Sequence, residues 1–181
     1  MIRRALAGIA IGSAIVVGIE AGLRRLGSAA IDPGRPITSV ALIRTPIERV
    51  WAILADIESQ PRWMRDMKTV RLETPGGIGV GTRAVARVRI LGLGVDDPVE
   101  ITAWQPPRLF AIRHLGTFRG SGSFLLEPRD DGRATSATWN ETLVAPILPV
   151  LAGLLLRPIL AAVFRADLRR LGRLAETGSA A

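Results

Sequence analysis

Residues 45–56 constrain the fold of this chain more than any other segment. They are followed by Pro61-Arg62-Trp63, and their apolar side chains recur at the spacing of one helix face: Ile47, Val50, Trp51 and Leu54. The spacing predicts a short amphipathic helix. We expect Thr45 to be its N-cap, with Pro46 at the first helical position and Glu48 in the first turn.

Segments with the two-residue alternation of strands lie on both sides of this helix. The predicted strands are residues 37–43, 69–73, 83–90, 99–104, 109–115, 122–127 and 134–143. Short turn signals, such as Asp131-Gly132, join them and indicate consecutive antiparallel hairpins. The glycine-rich segment 76–82 opens into a strand rather than a helix, so it is predicted to be a turn and not a phosphate loop.

Residues 83–90 show which face of the sheet is buried. Ala84, Ala86 and Val88 alternate with arginines, so one face is predicted to meet the core and the other to meet water. The small alanines leave room for a ligand on the inner face.

A long helix is predicted at residues 150–176. Its apolar stripe consists of Leu156, Leu160, Val163, Phe164, Leu168, Leu171 and Leu174. We expect Pro158 to kink this helix or divide it in two. The apolar segment 143–156 contains two prolines, and we interpret it as a cavity lid or a patch that touches a bilayer, not as a membrane span.

The N-terminal segment has an uncharged run from Ala5 to Ile19, with arginine pairs before and after it. We predict that residues 1–30 form a single membrane anchor, and that residues 31–36 are a linker. A signal peptide cleaved near Ser28-Ala29-Ala30 and a surface-lying helix remain alternatives. Arg24-Arg25, between the run and that cleavage site, favour the anchor. The flanking arginines leave the orientation open, and we expect the globular domain on the cytoplasmic side.

Composition excludes several function classes. The net charge is +8, but 23 of the 24 basic residues are arginine and they are scattered, without interleaved aromatic residues, so we predict no nucleic-acid partner. There is no cysteine, and His114 is the only histidine. These counts exclude thiolate chemistry, and we predict neither a metal nor a cofactor.

Several motifs together resemble the SRPBCC (START-like, helix-grip) superfamily, and within it the polyketide cyclase/dehydrase and lipid-transport family. The matching features span about residues 36–176: the 45–56 helix, Pro61-x-Trp63, Gly79-x-Gly-Thr82, Trp104-x-Pro-Pro-Arg108, Gly120-x-Gly122 and the leucine-rich end helix. The resemblance implies an α+β fold, in which a seven-stranded antiparallel sheet wraps around a long C-terminal helix. It also implies a cavity for a hydrophobic ligand between the sheet and that helix. The residues themselves predict two short helices after the first strand, the second of them at 61–64. They also predict a separate N-terminal helix, which lies outside the resemblance.

The resemblance implies no fixed catalytic residue. His114 would be the best general acid or base if it faced the cavity, although its place at a strand end favours a surface position. Glu141 shares a face with Trp139 and is either a buried carboxylate of raised pKa or solvent-exposed. Asp96-Asp97 and Asp130-Asp131 are interpreted as solvated turns.

We therefore expect residues 37–176 to bind a hydrophobic small molecule or lipid without covalent chemistry, at a membrane, with residues 177–181 as a disordered tail. The alternatives are a cyclase or dehydratase acting on polyketide-like or aromatic substrates, with His114 or Glu141 assisting, and a non-catalytic membrane interaction module. The oligomeric state is left open. The predicted ligand-binding residues are Trp63, Ala84, Ala86, Val88, Ile101, Ala103, Ile112, Phe124, Trp139, Leu160 and Phe164.

Overall fold

The computed structural model describes residues 15–25, 32, 34–90 and 92–178. Its helices are α1 (residues 15–25), α2 (Ile47–Ala55) and α3 (Pro149–Thr177), with 3-10 turns at Ile57–Arg62 and Asp130–Gly132. Its strands are β1 (Ile37–Ile43), β2 (Met67–Leu72), β3 (Arg83–Ile90), β4 (Leu93–Gln105), β5 (Leu109–His114), β6 (Arg119–Arg129) and β7 (Ala134–Val144).

The strands form one antiparallel sheet in the order β1-β7-β6-β5-β4-β3-β2. Strands β2 to β7 follow one another as a meander, while β1 closes the far edge beside β7. Helix α2 and the first 3-10 turn carry the chain from one edge of the sheet to the other. The predicted α+β fold, with seven strands packed around a C-terminal helix, is confirmed.

Helix α2 buries the four side chains that predicted it, Ile47, Val50, Trp51 and Leu54. The predicted N-cap is wrong. The helix begins at Ile47, its N-cap is Pro46, and no side chain caps it. Thr45 is buried, and its carbonyl oxygen accepts a hydrogen bond from the Thr135 hydroxyl at 2.8 Å, so this threonine ties the helix start to β7.

Helix α3 runs through Pro158 as one continuous helix, so the predicted division in two is wrong. Its second half provides core residues, with Phe164, Leu168 and Leu171 all buried against the sheet and α2. Its first half is less buried, although it is just as apolar.

The predicted turn at Asp96-Asp97 is also wrong. Both residues lie inside β4, which pairs with β3 on one side and with β5 on the other. The β3–β4 turn lies around Gly92 instead, where a positive φ of 88° suits glycine. The second acidic pair is at a hairpin as expected, since Asp130–Gly132 is the turn between β6 and β7.

Helix α1 contacts the globular domain through Glu20. The carboxylate accepts hydrogen bonds from the backbone N–H groups of Val150 and Leu151, at 3.1 and 2.9 Å, in the first turn of α3. Arg24 pairs with the same carboxylate at 2.9 Å. A carboxylate at a helix N-terminus satisfies unpaired N–H groups and meets the positive end of the helix dipole.

Only part of the predicted N-terminal anchor can be compared with the structure. Residues 1–14 and the candidate cleavage site at 28–30 lie outside the described residues. Within the described part of the chain, α3 is the helix that is long and apolar enough to cross a bilayer, by length and composition alone. That candidate is C-terminal, whereas the sequence placed the single anchor at the N-terminus.

Candidate functional site

An apolar cavity of about 490 Å³ lies between the inner face of the sheet and the first half of α3. Its walls are mostly aliphatic and aromatic. The residues predicted to bind a ligand that do line it are Ala84, Ala86, Val88, Ile101, Ile112, Phe124, Trp139, Leu160 and Phe164. A cavity of this size and lining is typical of sites for small hydrophobic molecules.

Two predicted residues do not line the cavity. Trp63 is completely buried and packs edge-on against Phe124 and Trp139, so it supports the cavity wall from behind. Ala103 follows a bulge in the β4–β5 pairing, between Ile101 and Ala103. A bulge reverses the alternation of side chains, which is why Ala103 loses the inward direction that Ile101 has.

A charged cluster stands on one wall of this cavity. Nδ1 of His114 lies 2.7 Å from Oδ2 of Asp97, and Nε2 lies 2.7 Å from Oε1 of Glu141. The other Glu141 oxygen accepts a hydrogen bond from the Trp139 indole N–H at 2.8 Å. The side chains of His114 and Glu141 are each 7% exposed and that of Asp97 is 11% exposed, so the cluster is almost entirely out of water.

Glycines in β6 make this cluster possible. His114 is on β5 and Glu141 is on β7, with β6 between them, so the two side chains meet across a whole strand. Gly122 is the β6 residue paired with Glu141, and a Cβ atom there would lie 2.5 Å from Oε2 of Glu141. Gly120 is paired with His114 and has a φ of 143°, and a Cβ there would lie 1.9 Å from the backbone oxygen of Thr142, so this position requires glycine for the backbone itself. We call Gly120 and Gly122 the β6 glycine pair.

The two carboxylates determine the charge of the imidazole. Burial alone would lower the pKa of His114, but hydrogen bonds and charges from Asp97 and Glu141 outweigh it and raise the pKa to about 10. Burial raises the pKa of Glu141, and the His114 and Trp139 contacts only partly oppose it. His114 is therefore an imidazolium at neutral pH, and both its N–H groups are engaged by carboxylates.

Sequence reasoning found two members of the cluster and missed the third. The surface position favoured for His114 is wrong, and of the two interpretations of Glu141 the buried one is confirmed. Asp97 was missed because it was interpreted as part of a turn. Asp167 was missed as well, since it lies within the apolar stripe of α3. It is buried beside Arg170 and lines the cavity, and burial raises its pKa.

The cluster does not have the arrangement of a metal site. Across the described residues, no group of three or more histidine, aspartate or glutamate side chains is arranged to hold a metal ion. A histidine ligand would need a free ring nitrogen, and both nitrogens of His114 are occupied by carboxylates.

Comparison with known proteins shows the family to which this chain belongs. Residues 36–176 match the family described as polyketide cyclase / dehydrase and lipid transport. Among curated proteins, uncharacterised proteins of Mycobacterium tuberculosis and Mycobacterium bovis are 29% identical over 148 residues, which is 79% of this chain and 85% of theirs.

Solved structures share the fold. An aromatase/cyclase, Zhui, from Streptomyces sp. R1128 superposes with a TM-score of 0.65 at 19% identity, covering 78% of this chain and 93% of that one. A protein from Thermus thermophilus also gives 0.65 at 19% identity, covering 80% of this chain and 99% of its own. At these identities the likeness concerns the fold alone.

Proposed function

The chain belongs to the polyketide cyclase/dehydrase and lipid transport family, and we propose that it binds a hydrophobic small molecule or lipid non-covalently in its internal cavity, at a membrane. The observation that carries this proposal is the cavity of about 490 Å³ with apolar walls and one compact polar cluster. Such a site would bury a hydrophobic body and orient it through a few polar contacts.

The cluster suggests which polar group the ligand carries. Of the four carboxylate oxygens in the cluster, three are bonded to His114 or Trp139. The fourth, Oδ1 of Asp97, is buried and has no hydrogen-bond partner among the described residues. An unpaired buried acceptor is unfavourable, so a ligand hydroxyl or other N–H or O–H donor that reaches it would gain a charge-assisted hydrogen bond.

Native mass spectrometry of the full-length chain, extracted in detergent, tests the binding function. We expect a co-purifying hydrophobic compound, or uptake of a compound from a panel of lipids and aromatic molecules. Ala86→Phe fills the cavity from β3 and should remove binding, whereas Val85→Phe on the opposite face of the same strand should not. Ala84→Leu is a milder filling variant if Ala86→Phe does not fold. A wild-type chain that accepts nothing from the panel would refute the function.

A matched pair of ligands tests the polar contact. A long-chain fatty alcohol should bind more tightly than its methyl ether, because only the alcohol donates a hydrogen bond. The expected difference is roughly tenfold to a hundredfold, as for a hydrogen bond to a charged group. Equal affinities would mean that the cluster does not contact the ligand's polar end.

Catalysis of the cyclase or dehydratase type is the second candidate. It is favoured by the position of Glu141, a carboxyl of raised pKa that lines the cavity beside a histidine. Against it, both nitrogens of His114 are engaged, so the imidazole has no free position from which to exchange a proton with a substrate. Turnover of a poly-β-ketone substrate that is lost in Glu141→Gln, while ligand binding is retained, would establish the enzyme and displace the simple binder.

A further inference from the structure

The outward face of α3 changes character along its length. From its first exposed position onward, this face presents Leu154, Leu155, Pro158, Ile159 and Ala162, and then Arg165, Arg169 and Arg173. Leu155 is 66% exposed and Ile159 is 50% exposed. Ile147, just before the helix, is 76% exposed. We call the exposed side chains of Ile147, Leu154, Leu155, Pro158, Ile159 and Ala162 the apolar ridge. A row of arginines follows it along the same helix face.

The inner side of the same half-helix lines the cavity. Ala152, Gly153, Leu156 and Leu160 all belong to the cavity wall. The first half of α3 is therefore a single layer with the ligand cavity on one side and the outside on the other. A helix is about 10 Å thick, so anything that covers the ridge lies within that distance of a bound ligand.

Helix α1 extends this apolar surface. Glu20 joins the helix to the first turn of α3 through its bonds to Val150 and Leu151, while Ile15, Val17 and Ile19 point outward and are about half exposed. The chain before α1 continues as an uncharged run back to Ala5. The ridge therefore lies beside the part of the chain that is predicted to enter a membrane.

Charge identifies the partner as a lipid surface rather than a second copy of this chain. Arg24 and Arg25 end α1, and Arg165 begins the arginine row beyond the ridge. Apolar side chains bordered by arginines fit the boundary between acyl chains and anionic headgroups. A second copy, with its own net charge of +8, would bring the same arginines against these.

We propose that the apolar ridge, with α1 held against it by Glu20, docks on an anionic bilayer and forms the wall through which a hydrophobic ligand passes between bilayer and cavity. The docking is inferred only from the exposed apolar and charged side chains, whereas the passage of a ligand rests on the proposed function. Glu20 then sets the orientation: it keeps the cavity wall facing the membrane rather than leaving the domain on a free tether.

The absence of cysteine allows a clean test of docking. Single cysteines replacing Leu155 on the ridge and Leu42 on the outer face of the sheet can each carry the fluorophore NBD. The two leucines are similarly exposed, at 66% and 60%, so Leu42 is a matched control. The full-length chain is reconstituted into vesicles of phosphatidylcholine and phosphatidylglycerol.

We expect the label at 155 to shift its emission to the blue and to be quenched by lipids carrying bromine on their acyl chains. The label at 42 should keep a water-like emission. A water-like label at 155 would overturn the proposal. So would a label at 155 that is shielded from water but not quenched by the lipids, since that result would mean that a second copy or another protein covers the ridge.

Exchange of a pyrene-labelled fatty alcohol between vesicle and protein tests the second part. Leu154→Ser and Leu155→Ser combined should slow the exchange by at least ~10-fold, because they remove apolar surface that holds the wall at the bilayer and do not line the cavity. The bound amount at equilibrium should stay the same. Val40→Ser with Leu42→Ser, on the sheet, should leave the rate unchanged. A Leu154→Ser, Leu155→Ser variant that exchanges at the wild-type rate would overturn the passage through this wall.

The two proposals fail in different ways. If the wild-type chain takes up no pyrene alcohol and nothing from the wider panel, the cavity function fails, while the label at 155 still reports docking on its own. Glu20→Gln should keep the chain in the membrane fraction but weaken quenching at 155. Unchanged quenching in that variant would contradict the orienting role of Glu20.

Discussion

The protonation of His114 leads to a pH dependence that can be worked out from the structure. The pKa of the imidazole is raised to about 10 in the folded chain, against about 6.5 in an unfolded chain. A raised pKa stabilises the folded state fully below pH 6.5, and the contribution is lost as the pH rises towards 10. Between these values the folded cluster holds one proton that the unfolded chain has released.

The expected size follows from that proton. The free energy of unfolding should fall by roughly 1 kcal/mol per pH unit across this window, and by ~3–5 kcal/mol in all. The slope of the free energy of unfolding against pH measures how many more protons the folded cluster binds than the unfolded chain does. It does not depend on which atom of the cluster carries the proton. Few other groups titrate there, because the chain has no cysteine, no tyrosine and no second histidine.

Two assays on the full-length chain in mild detergent check this prediction. Urea unfolding followed by tryptophan fluorescence gives the slope between pH 7 and 9.5. The nitrogen NMR signals of the imidazole give the site, and they need no assignment because His114 is the only histidine. The combined variant Asp97→Asn, His114→Gln and Glu141→Gln is the control, and its stability should be nearly flat across the same range. An imidazole that titrates near pH 6.5 in the folded wild-type chain would refute the reasoning.

Three further predictions concern packing. Gly122→Ala should lower the free energy of unfolding by roughly 2–4 kcal/mol, since its Cβ would lie 2.5 Å from a Glu141 oxygen and break the buried ion pair. The control is Gly94→Ala, where the added Cβ would make only ordinary contacts, and it should lower the free energy of unfolding by less than about 1 kcal/mol. Equal losses for the two variants in urea titrations would contradict the role given to the β6 glycine pair. Trp139→Phe removes a hydrogen bond to Glu141 and should cost ~1–3 kcal/mol; unchanged stability would show that the bond is not needed. Leu168→Ala, at a completely buried position of α3, should cost ~2–5 kcal/mol by thermal or urea unfolding, and a smaller loss would mean that the helix is not the centre of the core.

The fold could be predicted because its signals are local. Alternation along β3 placed Ala84 and Ala86 inward, and helical spacing placed Val50 and Leu54 on the buried face of α2. These patterns depend on neighbours a few positions apart, which the sequence displays directly. The predictions failed where a residue's local preference competed with a partner distant in sequence. Thr45 was predicted to cap α2, but its carbonyl oxygen accepts a hydrogen bond from Thr135 of β7.

The charged cluster was harder to predict because strand register assembles it. Asp97 stands between an aspartate and a proline, which favour turns, yet its pairing with Ala86 of β3 holds it in a strand. Alternation put Trp139 and Glu141 on one face but did not say which face was buried. The signal that could have linked His114 to Glu141 was Gly122 of Gly120-x-Gly122, where the missing side chain leaves room for the Glu141 carboxylate across β6.

The order of the strands also bears on how the chain can fold while it is being synthesised. Strand β1 is the first to leave the ribosome, but its pairing partner is β7, and Thr38 meets Asn140, 102 positions later. Strands β2 to β7 can pair in turn as each hairpin appears. The first strand therefore remains without a partner until almost the whole chain has been made. The sheet is therefore completed late, at about the time when α3 becomes available to pack against it. We expect this step to be slow, because the contacts that it forms join residues distant in sequence.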